Sequence, residues 1–216
     1  MFDGVSNFVN STDRTFLYTL IVSVFFLALN TFLMLYFVYK YNRKRHPKGK
    51  NVHGHVGLEI TWTTIPTILV LILFWFGWQG YMEEANVPEG AMPISVTAQM
   101  WKWSFQYENG RNTDTLYVPV NTPIKLTMHS NDVNHAFFIP AFRIKKDVYP
   151  NRQRITWFEA KKTGRYPIAC AEYCRLNHSH MYSRIVVLDQ KEFDKWNAEY
   201  ESKDSVKVNK MDNESN

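Results

Sequence analysis

The sequence predicts a two-helix transmembrane hairpin followed by an all-β sandwich. Three observations carry this: two long uncharged apolar runs, a basic loop between them, and short alternating segments beyond Glu83-Glu84. At 216 residues the chain has room for one compact domain plus an anchor.

Residues 1–15 form an N-terminal segment, and the hairpin occupies 16–84. Phe16–Tyr39 is a 24-residue run and Ile60–Gly80 a 21-residue run, neither with a charge. At about 1.5 Å per residue each crosses the roughly 30 Å hydrocarbon layer. A buried soluble helix carries a polar stripe, and neither run has one. Trp62, Trp75, Trp78, Tyr39 and Tyr41 lie nearer the ends, where amphipathic rings favour the interface. Pro66 is tolerated in a membrane helix.

The loop 40–56 between the runs holds Lys40, Arg43, Lys44, Arg45, Lys48 and Lys50 with no acid. Such loops stay on the cytoplasmic side, so both termini and the following domain are expected outside, in periplasm or intermembrane space. The first run is too long for a cleavable signal and is expected to serve as its own insertion signal. The net charge of +5 comes from this loop: residues 1–56 carry seven Lys/Arg against two Asp, residues 57–216 eighteen of each sign. The charge is a topology signal able to touch anionic lipid, and nucleic acid is excluded as a partner.

Residues 85–190 read as strands. Ile94–Gln99 alternates with period two, and Thr115–Val120, Ile124–Met128, Arg154–Glu159 and Tyr182–Leu188 follow, punctuated by Asn109-Gly110, Asn121-Thr-Pro and Thr163-Gly164 turns. About a hundred residues of this kind make a sandwich or barrel. Trp101-Lys-Trp103-Ser-Phe105-Gln-Tyr107 is dense in rings, and a strand with Trp103 and Phe105 inward accounts for part of it. Residues 191–201 read as a short helix with Phe193, Trp196 and Tyr200 near one face, and 202–216 as a polar disordered tail.

The chemistry concentrates in Cys170-Ala-Glu-Tyr-Cys174-Arg-Leu-Asn-His178-Ser-His-Met181, with His135 35 residues earlier. Thiol, imidazole and thioether are the ligand set that selects copper over hard cations. One copper needs one thiolate. Two thiolates can bridge two coppers, each metal taking one His and one weak axial ligand. A disulfide needs neither His135, His178 nor Met181, and Met is a poor zinc ligand. His180 sits between two candidate ligands and reads as a rim residue.

Cys-x-Glu-x-Cys-x-x-x-His-x-x-Met with an upstream Asp132-x-x-His135 resembles the binuclear copper (CuA) signature of cytochrome c oxidase subunit II. The resemblance covers nearly the whole chain: hairpin, aromatic stretch, His loop and Cys loop, in order. It implies a cupredoxin-like Greek-key sandwich and a relay from cytochrome c through the copper pair to haem in subunit I, where oxygen is reduced with proton pumping. It implies that Cys170 and Cys174 bridge the coppers and that His135 and His178 bind one each. Met181 and the Glu172 carbonyl become the weak axial ligands, and the Glu172 carboxylate binds magnesium or manganese at the subunit I interface. Trp101 becomes the exposed ring that receives the electron, with Asp132, Glu108 and Asp114 as acids steering a basic donor. Glu59, in Leu-Glu59-Ile-Thr-Trp62-Thr, matches the segment that admits protons, although an acid at a helix start is also a favourable N-terminal charge. Ala141–Asp147 and Pro150–Arg152 follow the family pattern expected against subunit I. The implied setting is a bacterial plasma or mitochondrial inner membrane.

Arg175 stands where the family usually has Gly, and His180 at a position commonly aromatic or small. Two alternatives remain: the CuA subunit of a nitric oxide reductase, and a membrane-tethered copper-delivery protein binding one copper reversibly. Quinol oxidase subunits lack the copper ligands, and all six positions are present here. No Cys-x-x-Cys-His for a fused cytochrome occurs.

Overall fold

In the computed structural model, residues 4–49, 51 and 53–199 are described. They divide into two compact units, the hairpin of 11–81 and a β unit drawn from 1–10 and 82–216.

In the hairpin, α1 spans Val9–Lys40 and α2 spans Val56–Ala85. Both are long and apolar enough to cross a membrane, and neither buries its apolar window against protein. Leu27, Phe32, Val38, Val70 and Phe74 are all more than 60% exposed, a surface only lipid or a partner helix can cover. The two helices meet through Tyr18, whose hydroxyl donates to the Leu69 carbonyl at 2.9 Å and whose ring meets Phe76 edge-on at 5.5 Å. Arg14 donates to Gln79 at 3.1 Å. Pro66 lies within a helix that continues past it.

The β unit is a sandwich of two five-stranded sheets. β1 is Met92–Gln99, β2 Lys102–Tyr107, β3 Asn112–Thr113, β4 Leu116–Pro119 and β5 Pro123–Ser130. β6 is His135–Ile139, β7 Ile144–Val148, β8 Arg154–Glu159, β9 Gly164–Cys170 and β10 Tyr182–Leu188. One sheet has the order β3-β2-β1-β5-β8 and the other β4-β10-β9-β6-β7. β1 with β5 and β4 with β10 run parallel; the remaining pairs are antiparallel. Alternation drives this arrangement: every second residue of β5 (Ile124, Leu126, Met128, Ser130) is buried. Trp103 and Phe105 of β2 point into the core with Phe137, Ile139, Ile168, Ile185 and Val187.

Four strands, β3, β6, β7 and β9, escaped the sequence pattern, and for β6 and β9 the physical reason is plain. β6 is buried at four of its five positions, so it reads as a plain apolar run. β9 contains Pro167, which pairs with Arg184 of β10, whereas β9 meets β6 only at Ala169 and Cys170. Pro167 therefore occupies a position with one side free of a ladder, where its missing N–H is harmless.

The chain's first described residues join the β unit. Ser6 pairs with Ala160, and Val5 and Phe8 are buried, Phe8 edge-on to Trp157 at 5.2 Å. At the other end a helix, α3, covers 190–199. Its Trp196 stacks on Tyr117 at 4.6 Å and lies under the Arg111 guanidinium at 3.6 Å. The expected helix residues 200–201 and the tail 202–216 fall outside the described residues.

Candidate metal centre

The pocket forms where β6 begins, β9 ends and β10 starts. Antiparallel pairing of Phe137 with Cys170 sets His135 beside the end of β9. Residues 171–181 then arch over and return, the Met181 carbonyl accepting from the Cys170 amide at 3.1 Å and the Ala136 carbonyl from Ala171 at 3.0 Å. A single helical turn, His178–His180, closes the arch.

This brings five side-chain donors together. The Cys170 and Cys174 sulfurs are 3.8 Å apart. His135 Nδ1 is 3.8 Å from Cys170 Sγ and His178 Nδ1 3.5 Å from Cys174 Sγ. Met181 Sδ is 3.7 Å from Cys174 Sγ, and the Glu172 carbonyl accepts from the Cys170 thiol at 3.3 Å. Both cysteines are free; a disulfide requires about 2.05 Å. Donor atoms holding one tetrahedral metal at about 2.0–2.3 Å stand about 3.5–3.8 Å from each other. The observed separations are of that size, so soft-metal ligation fits these residues. His135, Cys174 and Met181 are wholly buried and Cys170 is 9% exposed, which keeps water from the sulfurs.

Asp132 positions His135. One carboxylate oxygen faces His135 Nε2 at 2.8 Å and accepts from the Val133 amide at 2.6 Å; the other accepts from the Met100 amide at 2.6 Å. Burial pushes this carboxyl up, but the hydrogen bonds from His135, Met100 and Val133 outweigh it and hold it at about 2. An ionised Asp132 accepting from Nε2–H leaves the Nδ1 lone pair turned to the sulfurs, the arrangement metal-bound histidines use. The thiols split in the same field. Burial raises both; hydrogen bonding to His135 then brings Cys170 below the ordinary thiol value, whereas the Cys170 charge raises Cys174 further.

Trp101 is half-buried, and its indole N–H donates to the Cys174 carbonyl at 2.9 Å. The Glu172 side chain is exposed. His180 is exposed and meets Ser179 at 3.1 Å; His178, not His180, faces the thiol. Asp132, expected as a steering acid, is occupied internally, and its spacing of three from His135 was the signal for that role. Glu108 lies at the opposite end of β2 from Trp101, about 20 Å away along the strand. Asp114 is exposed and its carbonyl accepts from Ser183 of β10. Glu59 belongs to the hairpin unit, exposed in the first turn of α2. Arg175 takes a left-handed backbone, φ 78°, a conformation that favours glycine.

Fold and pocket together define a helical hairpin and a cupredoxin-like domain with a buried cluster of thiol, imidazole and thioether donors. Residues 1–79 match the transmembrane domain of cytochrome c oxidase subunit II, and residues 110–189 match its periplasmic domain. The cytochrome c oxidase subunit 2 of Alkalihalophilus pseudofirmus is 32% identical over 191 residues, 82% of this chain. That of Synechocystis sp. is 27% identical over 246 residues, covering 91% of this chain and 71% of the relative. The chain spans 56% of the Alkalihalophilus protein's length. A crystal structure of the periplasmic domain of subunit II from Bradyrhizobium japonicum superposes with a TM-score of 0.51 at 34% identity, over 55% of this chain and 99% of that one. The chain belongs to the cytochrome c oxidase subunit II family and is a two-span membrane protein.

Proposed function

We propose that this chain is the electron-accepting subunit of a haem-copper oxidase, taking electrons from cytochrome c at a binuclear copper centre and passing them to haem in subunit I. The observation that carries this is the pair of free buried thiols 3.8 Å apart, each with its own imidazole at 3.8 or 3.5 Å. Cys170 and Cys174 would bridge the pair, His135 and His178 would hold one copper each, and Met181 and the Glu172 carbonyl would serve as weak axial ligands. When bound, two coppers sharing two sulfurs supply a one-electron carrier whose geometry changes little on transfer.

The protein's own residues do the rest. Asp132 fixes the His135 tautomer. The buried sulfurs and Met181 exclude water. Trp101 joins a half-exposed ring to the backbone of Cys174 through one hydrogen bond, a short covalent and hydrogen-bonded route from the surface to a bridging ligand. The exposed Glu172 carboxylate is free to bind magnesium or manganese against subunit I, since hard cations prefer oxygen. Glu59, in the first turn of α2, would take up protons on the side of the basic loop, and the charge of that loop supports an outside position for both termini and the copper domain.

Copper titration of the full chain with spin resonance tests the centre. We expect two coppers per chain and a mixed-valence signal with the electron coupled equally to both nuclei. One copper per chain with a single-nucleus pattern overturns the reading in favour of copper delivery.

A further inference from the structure

The turn that ends α1 is rich in cations. Lys40, Arg43, Lys44, Arg45 and Lys48 are exposed, and no acid occurs between Lys40 and Leu58. The chain does not run straight out from the helix. Asn42 turns it: its side-chain amide donates to the Tyr39 carbonyl at 2.8 Å, and its Oδ1 accepts from the amides of Lys44 and Arg45 at 3.1 Å each. The Arg45 and His46 amides return to the Asn42 carbonyl at 3.0 and 2.9 Å.

This turn folds Arg45 back onto the aromatic end of the helix, where Lys40 also lies. The Arg45 guanidinium lies 3.8 Å from the centre of the Tyr39 ring. The Lys40 ammonium donates to the Tyr36 hydroxyl at 2.9 Å and sits 5.4 Å from the Tyr41 ring, against which His46 packs at 5.1 Å. Tyrosines at the end of an apolar span mark the headgroup level. Membrane topology requires positive charge on one side of the bilayer. It does not require that an arginine be folded back over a ring by an asparagine turn.

We propose that this turn binds the phosphodiester of an anionic phospholipid, with Arg43, Lys44 and Arg45 taking the phosphate and Tyr39 holding the Arg45 side chain beside it. The chemistry, a phosphate monoanion among guanidinium and ammonium groups, is shared with free phosphate, and the acyl chains distinguish the lipid. Lying beside the apolar surface of α1, a lipid gains from both parts at once.

The test uses the full chain in mixed micelles at physiological ionic strength, with retained lipid counted by native mass spectrometry. Phosphatidylglycerol and phosphatidylcholine are offered in equal amounts. Each basic group near an anionic surface strengthens attraction about fivefold, so the wild-type chain should retain phosphatidylglycerol at least about tenfold over phosphatidylcholine. The variant with Arg43, Lys44 and Arg45 all changed to Gln keeps three loop cations for orientation, which protease mapping checks, and should lose that preference. Tyr39→Leu keeps every charge and should lower the preference severalfold. An equal retention of both lipids by the wild type, or an undiminished preference in both variants, overturns the proposal. Displacement of the bound lipid by millimolar inorganic phosphate overturns it in favour of a free-phosphate site.

Discussion

The two histidines of the pocket are held in opposite ways. His135 opens a core strand, is wholly buried, meets Trp103 edge-on at 6.1 Å and is gripped by Asp132 at 2.8 Å. His178 sits in a single helical turn of the loop, half-buried, with its ring edge-on to the exposed Tyr173 at 5.9 Å. One wall of the pocket is therefore finished by folding, and the other is a loop that, on the proposed function, a bound metal would close. A rigid wall sets geometry in advance, while a looser one lets metal in.

The strongest way to break this picture is to remove a thiol that serves both walls. Cys170→Ser takes away the sulfur that stands 3.8 Å from both His135 and Cys174. We expect copper to fall from two to at most one per chain, with complete loss of the mixed-valence signal, read by metal analysis and spin resonance. Two coppers retained with the signal intact refutes bridging.

The next contrast compares the histidines directly. His135→Gly removes a buried ring and takes from Asp132 its histidine partner, so the metal-free chain should lose about 2–5 kcal/mol of stability. His178→Gly should cost the metal-free chain under about 1 kcal/mol, because the loop is exposed around it. Added imidazole can reach the half-open position and restore copper binding to the His178 variant, but not to the His135 variant. Denaturant melts and copper uptake with imidazole read both. Equal destabilisation would show that the walls do not differ.

Much of this contrast was legible in the residues and some was not. The loop wall was readable because its donors sit within twelve residues, so local spacing alone brings Cys174, His178 and Met181 near one another. The hairpin was readable because composition alone decides it. What lay hidden is long-range. That Met100, thirty-two residues away, donates its amide to Asp132 depends on the β1–β2 turn landing beside the β5–β6 turn, which pairing of β1 with β5 arranges. The inward packing of Val5 and Phe8 follows from Ser6 finding Ala160, a pairing no local pattern announces.

Asp132→Asn sharpens the rigid wall without emptying it. Asn keeps one oxygen for an amide but loses the charge that orients Nε2–H of His135. Outer-sphere partners of metal histidines contribute about ten- to a hundredfold in affinity, and a loss near tenfold in copper affinity is expected here, with an altered spin signature. An unchanged affinity and spectrum would leave Asp132 a fold-stabilising acid alone.

The smallest effect falls on the loop wall. Arg175 follows Cys174 with φ at 78°, a conformation that costs a side-chain-bearing residue about 1–2 kcal/mol. Arg175→Gly removes that strain, offset by about 0.5–1 kcal/mol from glycine's greater freedom in the unfolded chain. The net gain of up to about 1.5 kcal/mol should raise the melting midpoint of the β unit in the metal-free chain by a few degrees. It should leave copper content unchanged, because Cys174 and His178 on either side of position 175 are held by Trp101, whose indole N–H donates to the Cys174 carbonyl, and by the Arg175 carbonyl, which accepts from the His178 amide at 3.0 Å. A lower midpoint would mean that the Arg175 side chain makes contacts worth more than the strain it bears, and the loop would then be as preformed as the strand opposite.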